Sequence, residues 1–161
     1  MLFAIAPRFC PDKIHRLAHF LEQKPPDFAL AVEVRHPAWF KAPALQDWVS
    51  LLAAYGCATV LTDVAGRRDA LHMVLSNSVA MIRFVGNHPH LSDEVRIEDW
   101  SQRLAIWLEK GLSEIYFFMH QPENDLSPEA LTAFTEKLNE KSGHACALPR
   151  RLPKIQQASL F

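Results

Sequence analysis

Glycine is scarce in this chain, with 5 among 161 residues, and cysteine is scarcer, with 3. Cys10, Cys57 and Cys146 are far apart, odd in number and without a C-x-x-C pair. That spacing argues against a disulfide framework or a structural zinc site, and a reducing cytoplasm is the expected setting. Neither sign of charge is in excess, since 17 Lys+Arg meet 18 Asp+Glu for a net charge of -1. Without an overall basic field, any nucleic-acid role must rest on a local patch. Long apolar runs are also missing: none approaches the roughly 18 residues that span a bilayer, and no charged-then-apolar leader opens the chain. The expectation is a protein that is neither exported nor inserted in a membrane. No G-x-G-x-x-G or phosphate-loop pattern follows the first apolar run, which weakens a nucleotide-binding reading without excluding it.

What the chain does have is apolar residues, 49% of the total, enough to bury one domain's core. Their period alternates. Unbroken apolar runs at Leu2–Ala6, Phe28–Val34, Ala58–Val64, Val79–Gly86 and Glu114–His120 read as strands. Between them, Ile14/Leu17/Ala18/Leu21, Leu45/Trp48/Val49/Leu52, Trp100/Leu104/Trp107/Leu108 and Leu131/Phe134/Leu138 recur at helical spacing. Gly56, Gly111 and Gly143 supply helix stops, and Ser127-Pro128 reads as an N-cap followed by the first helical position. Continuous apolar strands between amphipathic helices indicate an α/β fold with a parallel sheet of about five strands and four to five helices, because such strands need burial on both faces. The fifth helix would fall at Asp69–Ser76, which is short. A flavodoxin-like open sheet and a partial (β/α)-barrel both fit that count. Residues 1–148 form the domain, and 149–161 carry no pattern and read as a tail.

Ligands of parallel α/β folds sit beyond the carboxyl ends of the strands, so polar residues there are candidates. In "VEVRHPAWF" (Val32–Phe40), Glu33 and Arg35 share one strand face and lead into His36-Pro37. Asp63 ends the third strand, Arg83 lies in the fourth, and His120 closes the fifth. Two readings stand: a shared acidic-plus-basic site, or structural ion pairs plugging one end of the sheet. In "VAGRRDA" (Val64–Ala70), Gly66 permits a tight turn and Arg67 and Arg68 present planar donors suited to phosphate or carboxylate, against the alternative of an ordinary charged turn. Glu33, Asp63 and His120 are donor types of an open divalent-metal site, although no short local spacing specifies one. His88-Pro89-His90 has the look of a metal pair but lies in a polar loop. Trp48, Trp100 and Trp107 fall in helical stripes and belong to the core, whereas Trp39 is a candidate pocket wall.

"VEVRHPAWF", "TDVAGRRDALHM", "RFVGN", "YFFMHQ" and the terminal "QASLF", in this order, resemble the YecE-like family, domain of unknown function 72. The resemblance covers nearly the whole chain. It implies a (β/α)-barrel similar in shape to the sugar isomerases and the endonuclease IV-like nucleases. Family members begin with a Gly-Thr-Ser-Gly-Trp segment that this chain lacks, and the chain opens at what corresponds to the fourth strand. A full barrel takes about 250 residues, so the expectation is the C-terminal piece of a barrel, a truncated gene, or five units that close by pairing with another copy. An open sheet leaves an edge and an apolar face free, and self-association is expected.

The last five residues, Gln157-Ala158-Ser159-Leu160-Phe161, resemble the peptide by which bacterial proteins bind the sliding clamp. Gln157 would be the polar anchor, and Leu160 and Phe161 would enter an apolar pocket; the pair could instead dock on the protein's own barrel. Together these readings point to a hydrolase acting on a phosphate-bearing substrate such as DNA. Arg35, His36, Arg67, Arg68 and Arg83 would hold phosphate, Glu33 or Asp63 would serve as general base or metal ligand, and His120 would transfer protons. The alternatives are a sugar or sugar-phosphate isomerase and a non-catalytic module brought to the clamp.

Overall fold

The computed structural model describes residues 1–87 and 90–150. Five strands, β1 (Leu2–Ala4), β2 (Ala31–Glu33), β3 (Ala58–Val64), β4 (Val79–Val85) and β5 (Glu114–His120), alternate with four α-helices, α1 (Ile14–Glu22), α2 (Ala44–Ala54), α3 (Ser92–Glu109) and α4 (Ser127–Ser142). All strand pairs are parallel and the sheet order follows the chain, β1-β2-β3-β4-β5. A doubly wound sheet reverses its strand order at a switch point, and no reversal occurs here. The architecture is a (β/α) half-barrel.

Side-chain alternation along the strands decides what each face does. Ile5 beyond β1, Val32 and Val34 at β2, and Leu17, Leu21, Trp48 and Leu52 of α1 and α2 form one buried cluster. Leu61, Ile82 and Phe84 join Trp100, Leu104, Phe134 and Leu138 of α3 and α4 in a second. Since Val32 pairs with Thr59 and Leu61 with Ile82, all four helices cover the same sheet face. The opposite, inner face carries its own small cluster of Ala31, Ala58, Val60 and Met81. At about 25 cal/mol per Å² of apolar area removed from water, the two helix-side clusters are the main stabilising contribution.

The strand boundaries expected for β3 and β5 coincide with those observed, while β1 and β2 are shorter because their outer residues run into loops. The connection from β3 to β4 holds a single 3-10 turn, Arg68–Ala70, in place of a fifth helix. Gly66 (φ +76°) and Gly143 (φ +70°) adopt the left-handed turn conformation that an L side chain resists. Two expectations need correction. Ser127 lies inside α4 and its hydroxyl accepts from the Gln121 backbone N–H at 3.1 Å, so it ties the β5 exit to the helix rather than capping it. Trp39 walls no pocket: it is fully buried, and its Nε1 donates to the Phe9 carbonyl at 2.8 Å.

Candidate functional site

Glu33 is the last residue of β2 and its side chain is 1% exposed on the inner face. A carboxylate buried in this way must be met by donors, or its charge costs several kcal/mol. Three donors meet it: Arg35 Nη2 to Oε2 at 3.0 Å, Thr62 Oγ1 to Oε1 at 2.9 Å and Arg83 Nε to Oε1 at 3.2 Å. They arrive from three adjacent strands or strand ends because Arg35 follows Glu33 by two residues, while Thr62 and Arg83 are direct partners across β3 and β4. Burial pushes the Glu33 carboxyl up, but the Arg35 hydrogen bond, the Arg83 charge and the Thr62 hydroxyl outweigh it and hold it below the ordinary carboxylate range. Glu33 is therefore an anion that accepts from three donors.

The two guanidiniums are less buried than the carboxylate, with side-chain exposures of 41% for Arg35 and 28% for Arg83. Among the described residues Glu33 is the sole acceptor of either, through one nitrogen each. Two positive charges against one negative leave the cluster formally cationic, with spare N–H donors. Register continues the row outward: Arg83 lies opposite Phe118 of β5, and Val85 lies opposite His120. His120 is thus on the same face, one step nearer the C-terminal rim, and it is exposed.

Asp63 departs from the expected cluster. It follows Thr62 directly and so points to the helix side, where it is 1% exposed. Arg96 of α3 reaches it at 2.9 Å and Trp100 Nε1 donates to it at 2.8 Å. Arg96 also bonds Asp93 and the carbonyls of Asp63 and Val85, so this network pins α3 against the ends of β3 and β4. The arginines of the following loop also leave the inner face. Arg68 turns back to Asp63 at 3.4 Å, and Arg67 bonds Asp69 at 3.0 Å in an exposed turn. His36 accepts the Ala38 N–H through Nδ1 at 3.2 Å and so caps the 3-10 turn Pro37–Phe40. The expected site therefore divides in two: Glu33, Arg35 and Arg83 with His120 inside, and Asp63 with Arg68 outside.

Among the described residues no three His, Cys, Asp or Glu side chains converge as a metal-binding group. His88 of the His88-Pro89-His90 pair lies outside the described residues, as do Gln157, Leu160 and Phe161. Thr62 was not singled out from the sequence, because only the β2–β3 register puts it on the same face as Glu33. Arg96 was missed because an arginine in a helix ordinarily faces solvent.

The family model described as "Protein of unknown function DUF72" matches residues 1–157. The chain belongs to this family. A DUF72 member of this length spans 61% of the curated relative it resembles, "UPF0759 protein YecE" of Escherichia coli strain K12, at 31% identity over 95% of the chain. The Escherichia coli O157:H7 protein of the same name gives the same values. Two crystal structures of a DUF72 family protein from Enterococcus faecalis V583 superpose with TM-scores of 0.61 and 0.64 at 13% and 12% identity. They are matched over 95% and 90% of this chain and 62% and 61% of theirs. At that identity the likeness shows the DUF72 fold and nothing further. No helix among the described residues is long and apolar enough to cross a membrane.

Proposed function

We propose that this chain supplies the phosphate-gripping rim of a (β/α)-barrel enzyme, with Arg35 and Arg83 as the grip and phosphoester hydrolysis as the reaction class. One observation carries the proposal: two guanidiniums converge on a single buried carboxylate yet keep unused donors on the uncovered face. Planar guanidinium forks match the oxygens of a phosphate, and a site that is cationic before the ligand arrives needs no rearrangement to receive it. Glu33 is a positioning residue here, since an anion whose oxygens already accept three hydrogen bonds is a poor base. His120, exposed on the same face, would give or take a proton at the substrate. Asp63 has no part in this site.

DNA as the source of the phosphate, and delivery by a sliding clamp through Gln157, Leu160 and Phe161, are parts of the proposal that rest on the sequence. Phosphate titration followed by calorimetry tests the grip. The wild-type chain should bind, and Arg83→Gln should weaken binding at least about tenfold, the loss of one charge-assisted bond of roughly 1.5–3 kcal/mol, with an unchanged circular dichroism spectrum. Equal affinity in the two proteins would end the proposal.

A further inference from the structure

We infer that the phosphate gripped by Arg35 and Arg83 belongs to a nucleotide, and that Phe118 and Tyr116 form the platform on which its base stacks. The inference rests on the phosphate reading above and extends it to the rest of the ligand.

β5 carries three consecutive-face aromatics whose fates differ. Phe117 points to the helix side and stacks on Phe134 with ring centroids 3.9 Å apart. Tyr116 and Phe118 point the other way, to the inner face, and each is 44% exposed. Neither ring packs on another aromatic ring among the described residues. Nor does the Arg83 guanidinium cover Phe118, because Glu33 holds it. An exposed ring is therefore left beside a cationic site, in direct cross-strand register with the arginine: Arg83 pairs with Phe118, and Met81 with Tyr116. The strands of Arg83 and Phe118 run about 4.8 Å apart at the backbone, and the Arg83 guanidinium turns from β5 toward Glu33 on β2, so the sugar of a nucleotide has a gap to span between gripped phosphate and stacked base.

The chemistry around the rings selects the ligand. A sugar offers hydroxyls that need donors and acceptors to replace water. Beyond Arg83 and His120 the surface beside Phe118 offers few: Met81 and Val85 are apolar, and the Tyr116 hydroxyl is already donated to Glu114 at 2.6 Å. A flat base loses little by covering such a surface, and stacking on an aromatic ring tolerates any base. The phosphate contributes the charge that the arginines need. A free nucleotide and the terminal nucleotide of a DNA strand share this chemistry.

Calorimetry on the full chain separates the outcomes, with four probes: inorganic phosphate, ribose 5-phosphate, deoxyadenosine 5′-monophosphate and a short 5′-phosphorylated single-stranded oligonucleotide. The mononucleotide should bind at least about fivefold more tightly than phosphate or ribose 5-phosphate, the low end of what one stacked base contributes. Phe118→Leu should remove that margin and leave phosphate affinity unchanged; at an exposed position the substitution keeps the fold, as circular dichroism will check. An oligonucleotide showing the same Phe118 dependence assigns the strand end, and binding by the mononucleotide alone assigns the free nucleotide. If ribose 5-phosphate matches the mononucleotide, or if the margin survives Phe118→Leu, the platform is refuted while the arginine grip stands. Absent phosphate binding would instead remove the grip itself.

Discussion

Thr62 and Asp63 are adjacent in β3 and serve opposite faces: Thr62 Oγ1 donates to Glu33 at 2.9 Å inside the half-barrel, and Asp63 Oδ2 accepts from Trp100 Nε1 at 2.8 Å outside it. One peptide unit thus separates the candidate binding site from the network that docks a helix. Substitutions at the two positions should have separable effects.

Asp63→Ala should lower stability to urea by roughly 3 kcal/mol or more, because it leaves the buried Arg96 guanidinium without its main counter-charge. Phosphate affinity should hold. Thr62→Val should cost about 1.5–3 kcal/mol, the worth of one hydrogen bond to a charged group, and raise the Glu33 pKa by removing a donor to its charged form. Denaturant melts and carboxyl-resolved NMR titration distinguish the two.

Glu98 joins α3 to α4 by accepting from Lys137 at 2.7 Å and Lys141 at 2.6 Å. Those two ammonium groups pull its pKa from 4.5 to about 2. A depressed carboxylate contributes stability that is present above its unfolded value and lost as pH falls through its folded one. The contribution should be intact above pH 4.5 and fade toward pH 2, modestly, since the pair lies in solvent. Glu98→Gln should flatten that part of the stability profile; an unchanged profile would contradict it.

Gly86 follows β4 where the Asp93 carboxylate and the Gln121 amide close in, and a Cβ built on it collides with both. Asp93 cannot easily retreat, since it also accepts the Asn87 N–H at 2.7 Å and Arg96 at 3.2 Å. Gly86→Ala should destabilise by about 1–3 kcal/mol, the usual cost of overpacking, read as a lowered thermal midpoint.

β1 and β5 are the outer strands of the sheet, each paired on one side among the described residues. Free edges template further pairing. Sedimentation should show concentration-dependent association of this chain, and Tyr116→Lys, which places a charge on the β5 inner face, should reduce it. A monomer at every concentration would contradict the expectation.

Removing Gln157–Phe161 should abolish retention by an immobilised bacterial sliding clamp while leaving phosphate binding intact. Retention by the shortened chain would end the clamp reading.

The strand and helix pattern was legible because period reports burial: Ala58–Val64 and Glu114–His120 are bounded in the fold where their apolar runs end. The Glu33–Arg35 pair was legible for the same reason, since residues two apart in a strand share a face. Asp63 misled because a carboxylate at a strand end looks alike whichever way it points. Its orientation depends on parity relative to β2, and the register Val32↔Thr59 sets that parity. Arg67, Arg68 and His36 stand apart from the Glu33 cluster because their nearest partners lie elsewhere: Asp69, Asp63 and the Ala38 N–H.

By itself the sequence determined the alternation of strands and helices, the near-neutral charge and the residue types available at the strand ends, because each follows from local order along the chain. Only the tertiary structure decided which of those ends share a face. Hydrogen-bonded register fixes every side chain's direction at once, and a shift of one residue would have exchanged Thr62 for Asp63 beside Glu33.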